Sequence, residues 1–324
     1  REYTVEEIVE RAGRVIKEAL RYGTTVLRTH VDVDTIGGLT PLEGLLETRA
    51  RYGHLVDLQI VAFPQEGIIQ DPGTEELMRK AMEMGADVVG GMPYNEMIET
   101  DSTRHIDIAF EIAKEYNADI DMHVDETDDP AARTLQYLAA KTIKEGWHGR
   151  VTAGHTCAMA AYDDAYAAKV IGLIKQAGMH MITNPVTNLM LQGRLDKQPK
   201  RRGITRVKEL IEAGVNVAFG QDCIKDTFYP FGKADLLEVA LVTAHAAHMS
   251  LPHEIEVVFD MPTVNAPRIL GLENHQIREG GDAEIVIINC ETPWETIRLQ
   301  PERLYVIHKG KVIAQERRES QIFE

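Results

Sequence analysis

Between Asp119 and Glu126 the chain reads Asp-Ile-Asp-Met-His-Val-Asp-Glu. On a strand, alternate side chains face opposite sides, so Asp119, Asp121 and His123 share one face and Ile120, Met122 and Val124 the other. A strand that keeps carboxylates and an imidazole on a face it could have made apolar is expected to line a polar site. Glu126 follows His123 by three residues, so it joins that site only if the strand has ended and the chain is turning. Imidazole and carboxylate together can hold a divalent metal ion, which with an open position lowers the pKa of a bound water toward neutrality. His123 and Asp222 are the candidate ligands, and Glu126 and His155 the candidates for moving protons. Read alone, the stretch is also compatible with a satisfied histidine beside a solvated acidic loop, and a metal-free site stays open.

The stretch is one of a series. Strand-like runs ending in polar residues recur at 25–32, 57–65, 87–93, 150–155, 180–185 and 216–222, each preceded by a helix-like segment. Helices are expected over 2–22, with Thr4 as N-cap and Glu7 three places on, and over 39–52, 74–85, 102–117, 130–146, 161–178, 205–214, 231–249 and 263–271. A long polar connection, 187–203, carries Lys200-Arg201-Arg202, which reads as a solvated loop face. Counting Asp119–Val124, the series gives seven parallel-type strands. A closed (β/α)8 barrel needs eight and gathers its functional groups at the C-terminal strand ends, where Gln65, His123, Glu126, His155 and Asp222 fall. An open doubly wound sheet would more often show a glycine-rich nucleotide turn, which the sequence lacks. The expected fold is therefore an α/β TIM-type barrel over 1–275 whose first strand lies upstream of Arg1. From 276 to 324 a turn, a strand and a hairpin turning at Lys309-Gly310 suggest a small β-sandwich portion.

Composition sets limits on partners. The 324 residues are 44% hydrophobic, ordinary for a globular chain, and 51 Asp+Glu against 35 Lys+Arg give a net charge of −16. Nucleic acid is not expected as a ligand, since phosphate contacts need clustered Lys and Arg. Neither a membrane-spanning run nor a signal peptide is visible, so the expected compartment is the cytoplasm. Cys157, Cys223 and Cys290 are too scattered for a disulfide framework or a metal clip.

Several stretches resemble the bacterial cytosine deaminases of the amidohydrolase superfamily. They are Arg28-Thr-His-Val-Asp-Val, Asp57-Leu-Gln-Ile-Val-Ala-Phe-Pro-Gln-Glu-Gly67, His123-Val-Asp-Glu126, Gly154-His-Thr-Cys-Ala-Met159, Pro199-Lys-Arg-Arg-Gly-Ile-Thr-Arg-Val-Lys-Glu209 and Phe219-Gly-Gln-Asp222 with Tyr229-Pro230. The matches are collinear from about Gly23 to the C-terminal hairpin. The resemblance implies a (β/α)8 barrel with one iron or zinc ion and a β-sandwich built from both chain ends. It implies that His123 is a metal ligand and that Asp222 is a metal-side carboxylate that takes a proton from the attacking water, which His155 orients. Glu126 would protonate the substrate ring nitrogen and then assist ammonia departure. Gln65 would bind the pyrimidine edge, and Phe228 would form an aromatic wall where the family has Trp.

The sequence departs from the family at three points. The family's His-x-His ligand pair is absent, leaving the site two ligands short unless an upstream segment supplies them; His30 matches a non-ligand position. Gln221 stands where the family has His, and Cys223 where it has a second Asp, beside the 5–6 edge of the substrate. The expected activity is metal-dependent hydrolytic deamination of a small heterocycle such as cytosine, isocytosine or a creatinine-like ring, by a homo-oligomer. The alternatives are an N-alkylamino-s-triazine aminohydrolase of the same superfamily and an inactive barrel that lacks its metal.

Overall fold

The computed structural model describes residues 4–323. In chain order the first part contains α1 (Val5–Arg21), β1 (Val26–Asp32), α2 (Thr40–Tyr52), β2 (Asp57–Phe63), α3 (Thr74–Met84), β3 (Val88–Gly91), α4 (Glu99–Glu115) and β4 (Asp119–Val124). There follow α5 (Thr134–Glu145), β5 (Val151–His155), α6 (Asp164–Ala177), β6 (His180–Thr183), α7 (Pro185–Leu191), α8 (Val207–Glu212) and β7 (Asn216–Phe219). Each strand pairs in parallel with its successor, in the order β1 to β7, and the seven curl into an incomplete TIM-type barrel flanked by helices. Within the sheet β1 and β7 are the two edges.

The alternation in the sequence sets which way each strand faces. Ile60, Ile120, Met122, Val124, Val151, Ala153, Met181 and Val217 are buried in the layer between sheet and helices. The inward set is polar. Arg28 Nη1 donates to Asp121 Oδ2 at 2.9 Å, its Nε to Gln59 Oε1 at 3.0 Å and its Nη2 to the Ile269 carbonyl at 3.1 Å. Gln59 Nε2 reaches the Leu270 carbonyl at 2.9 Å. These side chains thus hold the chain after β7 against the inner face of the sheet, and satisfy carbonyls that a short helix leaves unpaired.

After β7 come α9 (Leu236–Ala246), α10 (Pro252–Asp260), α11 (Ala266–Ile269), β8 (Ile285–Ile288), α12 (Pro293–Leu299), β9 (Arg303–His308) and β10 (Lys311–Ala314). The last three strands form an antiparallel sheet in the order β10-β9-β8. Where a β-sandwich portion was expected, the described residues form this single sheet, with α1 against it. Arg303 ties it to the barrel: its guanidinium bonds the Asp235 carboxylate, both side chains are buried, and it lies 5.5 Å over the Tyr22 ring.

The expected elements form, with shifted ends. Thr4 caps α1, its Oγ1 accepting from Glu7 N at 3.2 Å; the expected helix positions 2 and 3 lie outside the described residues. The helix expected from 130 begins at Thr134, because the Asp125 carboxylate takes the N–H groups of Thr134 and Leu135 and fixes the start there. The helix expected from 231 begins at Leu236, behind the Asp235 cap. Residues 187–191, expected in a polar connection, are helical in α7, and α10 and α12 were not expected; each of these three helices has proline in its first turn. Among the described residues no helix is long and apolar enough to cross a membrane.

Candidate active site

Parallel pairing in register brings the strand ends to one rim. His123 aligns with Gly154 and Val124 with His155, so β4 and β5 present their last residues side by side. At these ends the backbone turns left-handed at Asp125 (φ 47°), His155 (φ 65°), Thr156 (φ 47°) and Asp222 (φ 61°). Non-glycine residues take that conformation at a cost of roughly 1–3 kcal/mol each, and it clusters at functional sites. Here the turn at Asp125 brings Glu126 back to the side of His123, as the spacing required.

A cavity of about 1230 Å³ opens at this rim, lined by Gln65, His123, Glu126, His155, Asp222, Cys223 and Phe228, the full set singled out in the sequence. It continues past Val26 and Leu27 of β1 and Ala218 and Phe219 of β7, into the gap between the two edge strands. His123 sits in a stack of rings, its centroid 4.7 Å from His30, 4.5 Å from Phe63 and 4.4 Å from His155. Burial, together with the neighbouring imidazoles, holds its pKa well below the usual histidine value, so the ring is neutral at neutral pH and one of its nitrogens offers a lone pair.

His155 is buried with Nδ1 3.0 Å from Glu126 Oε1 and Nε2 3.9 Å from Asp222 Oδ1. Burial alone would lower its pKa; the Glu126 and Asp222 carboxylates overcome that and raise it to about 9. Asp222 is pushed above the ordinary carboxylate range by burial, against the pull of His155. The Cys223 thiol is raised by burial and by Asp222, so it stays neutral. Phe228 is 46% exposed at the mouth. Gln65 is fixed through its backbone, its carbonyl accepting from Asn95 Nδ2 at 2.7 Å.

Ligand atoms of His123, Glu126 and His155 lie within 4.8 Å of one another. Imidazole and carboxylate donors of this kind suit a divalent metal ion, and His123 and Asp222 both line the cavity. The residues present fit such a group. His30 points to Asp121, Nε2 to Oδ1 3.6 Å.

Sequence reasoning missed the residues that hold this set. Asn184 Nδ2 lies 3.0 Å from His155 Nε2, and Asn188 Nδ2 lies 2.9 Å from His155 Nδ1 and 3.1 Å from Glu126 Oε1. Their signal was an i, i+4 pair of asparagines in Asn184-Pro-Val-Thr-Asn188, one face of a helical turn, split between what read as a strand-like run to 185 and a polar connection from 187. Arg28 and Asp121 were also visible as types but not as a pair, since 93 residues separate them.

The amidohydrolase family model matches residues 2–317. The chain is 32% identical over 314 residues to N-isopropylammelide isopropyl amidohydrolase of Pseudomonas sp. (strain ADP), covering 97% of this chain and 74% of that protein. It is 32% identical over 315 residues to pterin deaminase of Rhizobium rhizogenes (strain K84 / ATCC BAA-868), covering 96% and 70%. The structure of 5-methylcytosine deaminase from Klebsiella pneumoniae liganded with 5-fluorocytosine superposes with a TM-score of 0.96 at 40% identity, over 99% of this chain and 78% of that one. The chain belongs to the amidohydrolase family, as a cytosine deaminase-like enzyme acting on C–N bonds of cyclic amidines.

Proposed function

We propose that the chain deaminates cytosine or a 5-substituted cytosine by hydrolysis, at a single iron or zinc ion. The observation that carries this reading is the convergence of Gln65, His123, Glu126, His155, Asp222, Cys223 and Phe228 on one cavity. His123 and Asp222 would hold the ion. When bound, it supplies Lewis acidity and lowers the pKa of a coordinated water.

The chain's own residues do the rest. Gln65 hydrogen-bonds the edge of the pyrimidine and Phe228 covers its face. His155 orients the attacking water and Asp222 accepts a proton from it. Glu126 gives a proton to the ring nitrogen next to the attacked carbon, and a second proton leaves with ammonia, so the C–N bond breaks without releasing an amide anion. Cys223 is neutral where an aspartate would be charged, so it accepts an apolar substituent at the substrate's 5 position at lower desolvation cost.

The test is ammonia release from cytosine, 5-methylcytosine and an N-alkylamino-s-triazine by the chain reconstituted with ferrous or zinc ion, with metal measured on the same sample. Bound metal with turnover of the pyrimidines supports the reading. Turnover of the triazine alone, which the 32% identity to the isopropylammelide enzyme makes the competing result, or bound metal with no pyrimidine turnover, rejects it.

A further inference from the structure

Three heavy atoms form a closed triangle beneath the rim. Asn188 Nδ2 is 3.1 Å from Glu126 Oε1 and 2.9 Å from His155 Nδ1, and these last two are 3.0 Å apart. Asn188 is fully buried and its Oδ1 has no hydrogen-bond partner. Its neighbours Asn184, Thr187 and Leu191 line the cavity, whereas Asn188 stands behind them.

Counting hydrogens limits what this triangle can do. An imidazole carries at least one N–H, so it cannot accept from an amide at both ring nitrogens. One of the two asparagines must therefore turn its oxygen to the ring. Asn188 is fixed nitrogen-inward by Glu126, because a carboxylate only accepts; Asn184 is the one that turns, and Nε2 keeps its hydrogen. Two bare lone pairs at 3.0 Å repel, so Glu126 Oε1 and His155 Nδ1 hold a proton between them. With that proton in place, Asn188 donates to Glu126 alone. When Glu126 hands the proton to a substrate ring nitrogen, His155 Nδ1 is left with an uncovered lone pair in a buried site. The two acceptors of Asn188 subtend about 60° at its Nδ2 and the amide hydrogens about 120°, so a small turn of the Asn188 amide shares the misfit and brings the second N–H onto that lone pair. The attacking water gives up two protons in all: one leaves with ammonia, and the other, taken up first by Asp222, refills the Glu126–His155 pair, so the cycle balances.

We propose that Asn188 is a positioning residue for proton transfer, one N–H fixing Glu126 and the other covering His155 Nδ1 while the shared proton is on the substrate. This rests on the reading of Glu126 as the proton donor. Asn188→Leu keeps the volume and removes both hydrogen bonds, and Asn188→Ala carries the test if the leucine variant does not fold. In the metal-loaded enzyme kcat is expected to fall about 10- to 100-fold with KM within about twofold, since the proton donor is misplaced while substrate binding is retained. The solvent deuterium isotope effect on kcat should rise as the proton step becomes limiting. In the metal-free protein at fixed pH, the ¹⁵N signal of His155 Nδ1 should shift while Nε2 keeps its N–H signature. An unchanged kcat, or an unmoved Nδ1 signal, overturns the proposal. If wild-type protein shows no turnover of any pyrimidine, the functional reading fails by itself, and the metal-free spectra still decide the role of Asn188.

Discussion

At the scale of single residues, the site works by giving similar groups different environments. Glu126 and Asp222 are both carboxylates near His155, yet only Glu126 makes a 3.0 Å contact with it, the other lying at 3.9 Å. Glu126→Gln removes proton delivery and little else. It is expected to lower kcat by about 10²- to 10⁴-fold with metal content and melting temperature retained, as metal analysis and calorimetry would show. Loss of metal in that variant would mean Glu126 is a ligand instead. Cys223→Asp puts a second charge at the cavity wall. The ratio of kcat/KM for 5-methylcytosine over cytosine should then drop, by about 10-fold for one misfitted methyl group; an unchanged ratio would take Cys223 out of the substrate pocket.

At the scale of elements, the loops carrying the substrate contacts are locked by buried polar pairs. Glu96, after β3, accepts from the N–H groups of Ile68, Ile69 and Gln70 at 2.6–3.1 Å and binds His105 Nδ1 of α4 at 2.8 Å. His105 Nε2 accepts from Met92 N at 3.1 Å, so the ring is neutral with its hydrogen toward Glu96. Burial depresses the His105 pKa; burial opposes ionisation of Glu96, but the four hydrogen bonds outweigh it and its pKa is lowered too. Both signs act the same way. A histidine whose folded pKa is depressed loses its stabilising contribution as pH falls below the unfolded value of about 6.5, and a depressed carboxylate loses its own as pH falls below about 4.5. Urea denaturation should therefore show stability declining on acidification from about pH 6.5, and His105→Gln should flatten the first part of that decline. Glu96→Ala leaves three loop N–H groups without an acceptor and is expected to cost about 3 kcal/mol or more. It should also raise KM, because Asn95 holds Gln65 beside it. Equal KM with lower stability would uncouple the clamp from binding.

At the scale of the whole molecule, the antiparallel sheet is tied to the barrel by the Arg303–Asp235 ion pair, in which Asp235 also caps α9 through Leu237 N at 3.0 Å. Removing the Arg303 cation leaves the buried Asp235 carboxylate with only the more distant Lys233 ammonium, at 3.5 Å, as a charged partner. Arg303→Met should destabilise the fold by about 3–5 kcal/mol, and Arg303→Met with Asp235→Asn should recover part of that loss. Equal melting temperatures for wild type and Arg303→Met would show that the sheet contributes nothing to barrel stability. The open edge between β1 and β7 is also a property of this scale. It is the reason the cavity runs on below the rim, past apolar side chains of both edge strands.

The sequence by itself determined the parallel αβ order, the inward and outward faces of the strands, and five of the cavity residues, Gln65, His123, Glu126, His155 and Asp222, while Cys223 and Phe228 came from the family resemblance. Those signals are local: a period of two along strands, capping residues, and polar types at strand ends. Helix starts were less legible, because a side chain from another element sets them, as Asp125 does for α5 across nine residues. Only the tertiary structure joined Arg28 to Asp121, Glu96 to the loop after β2, and Asn188 to both Glu126 and His155. Each of those pairings lies 26 to 93 residues apart. A buried hydrogen bond depends on where two chains meet, and no spacing within one stretch encodes that meeting.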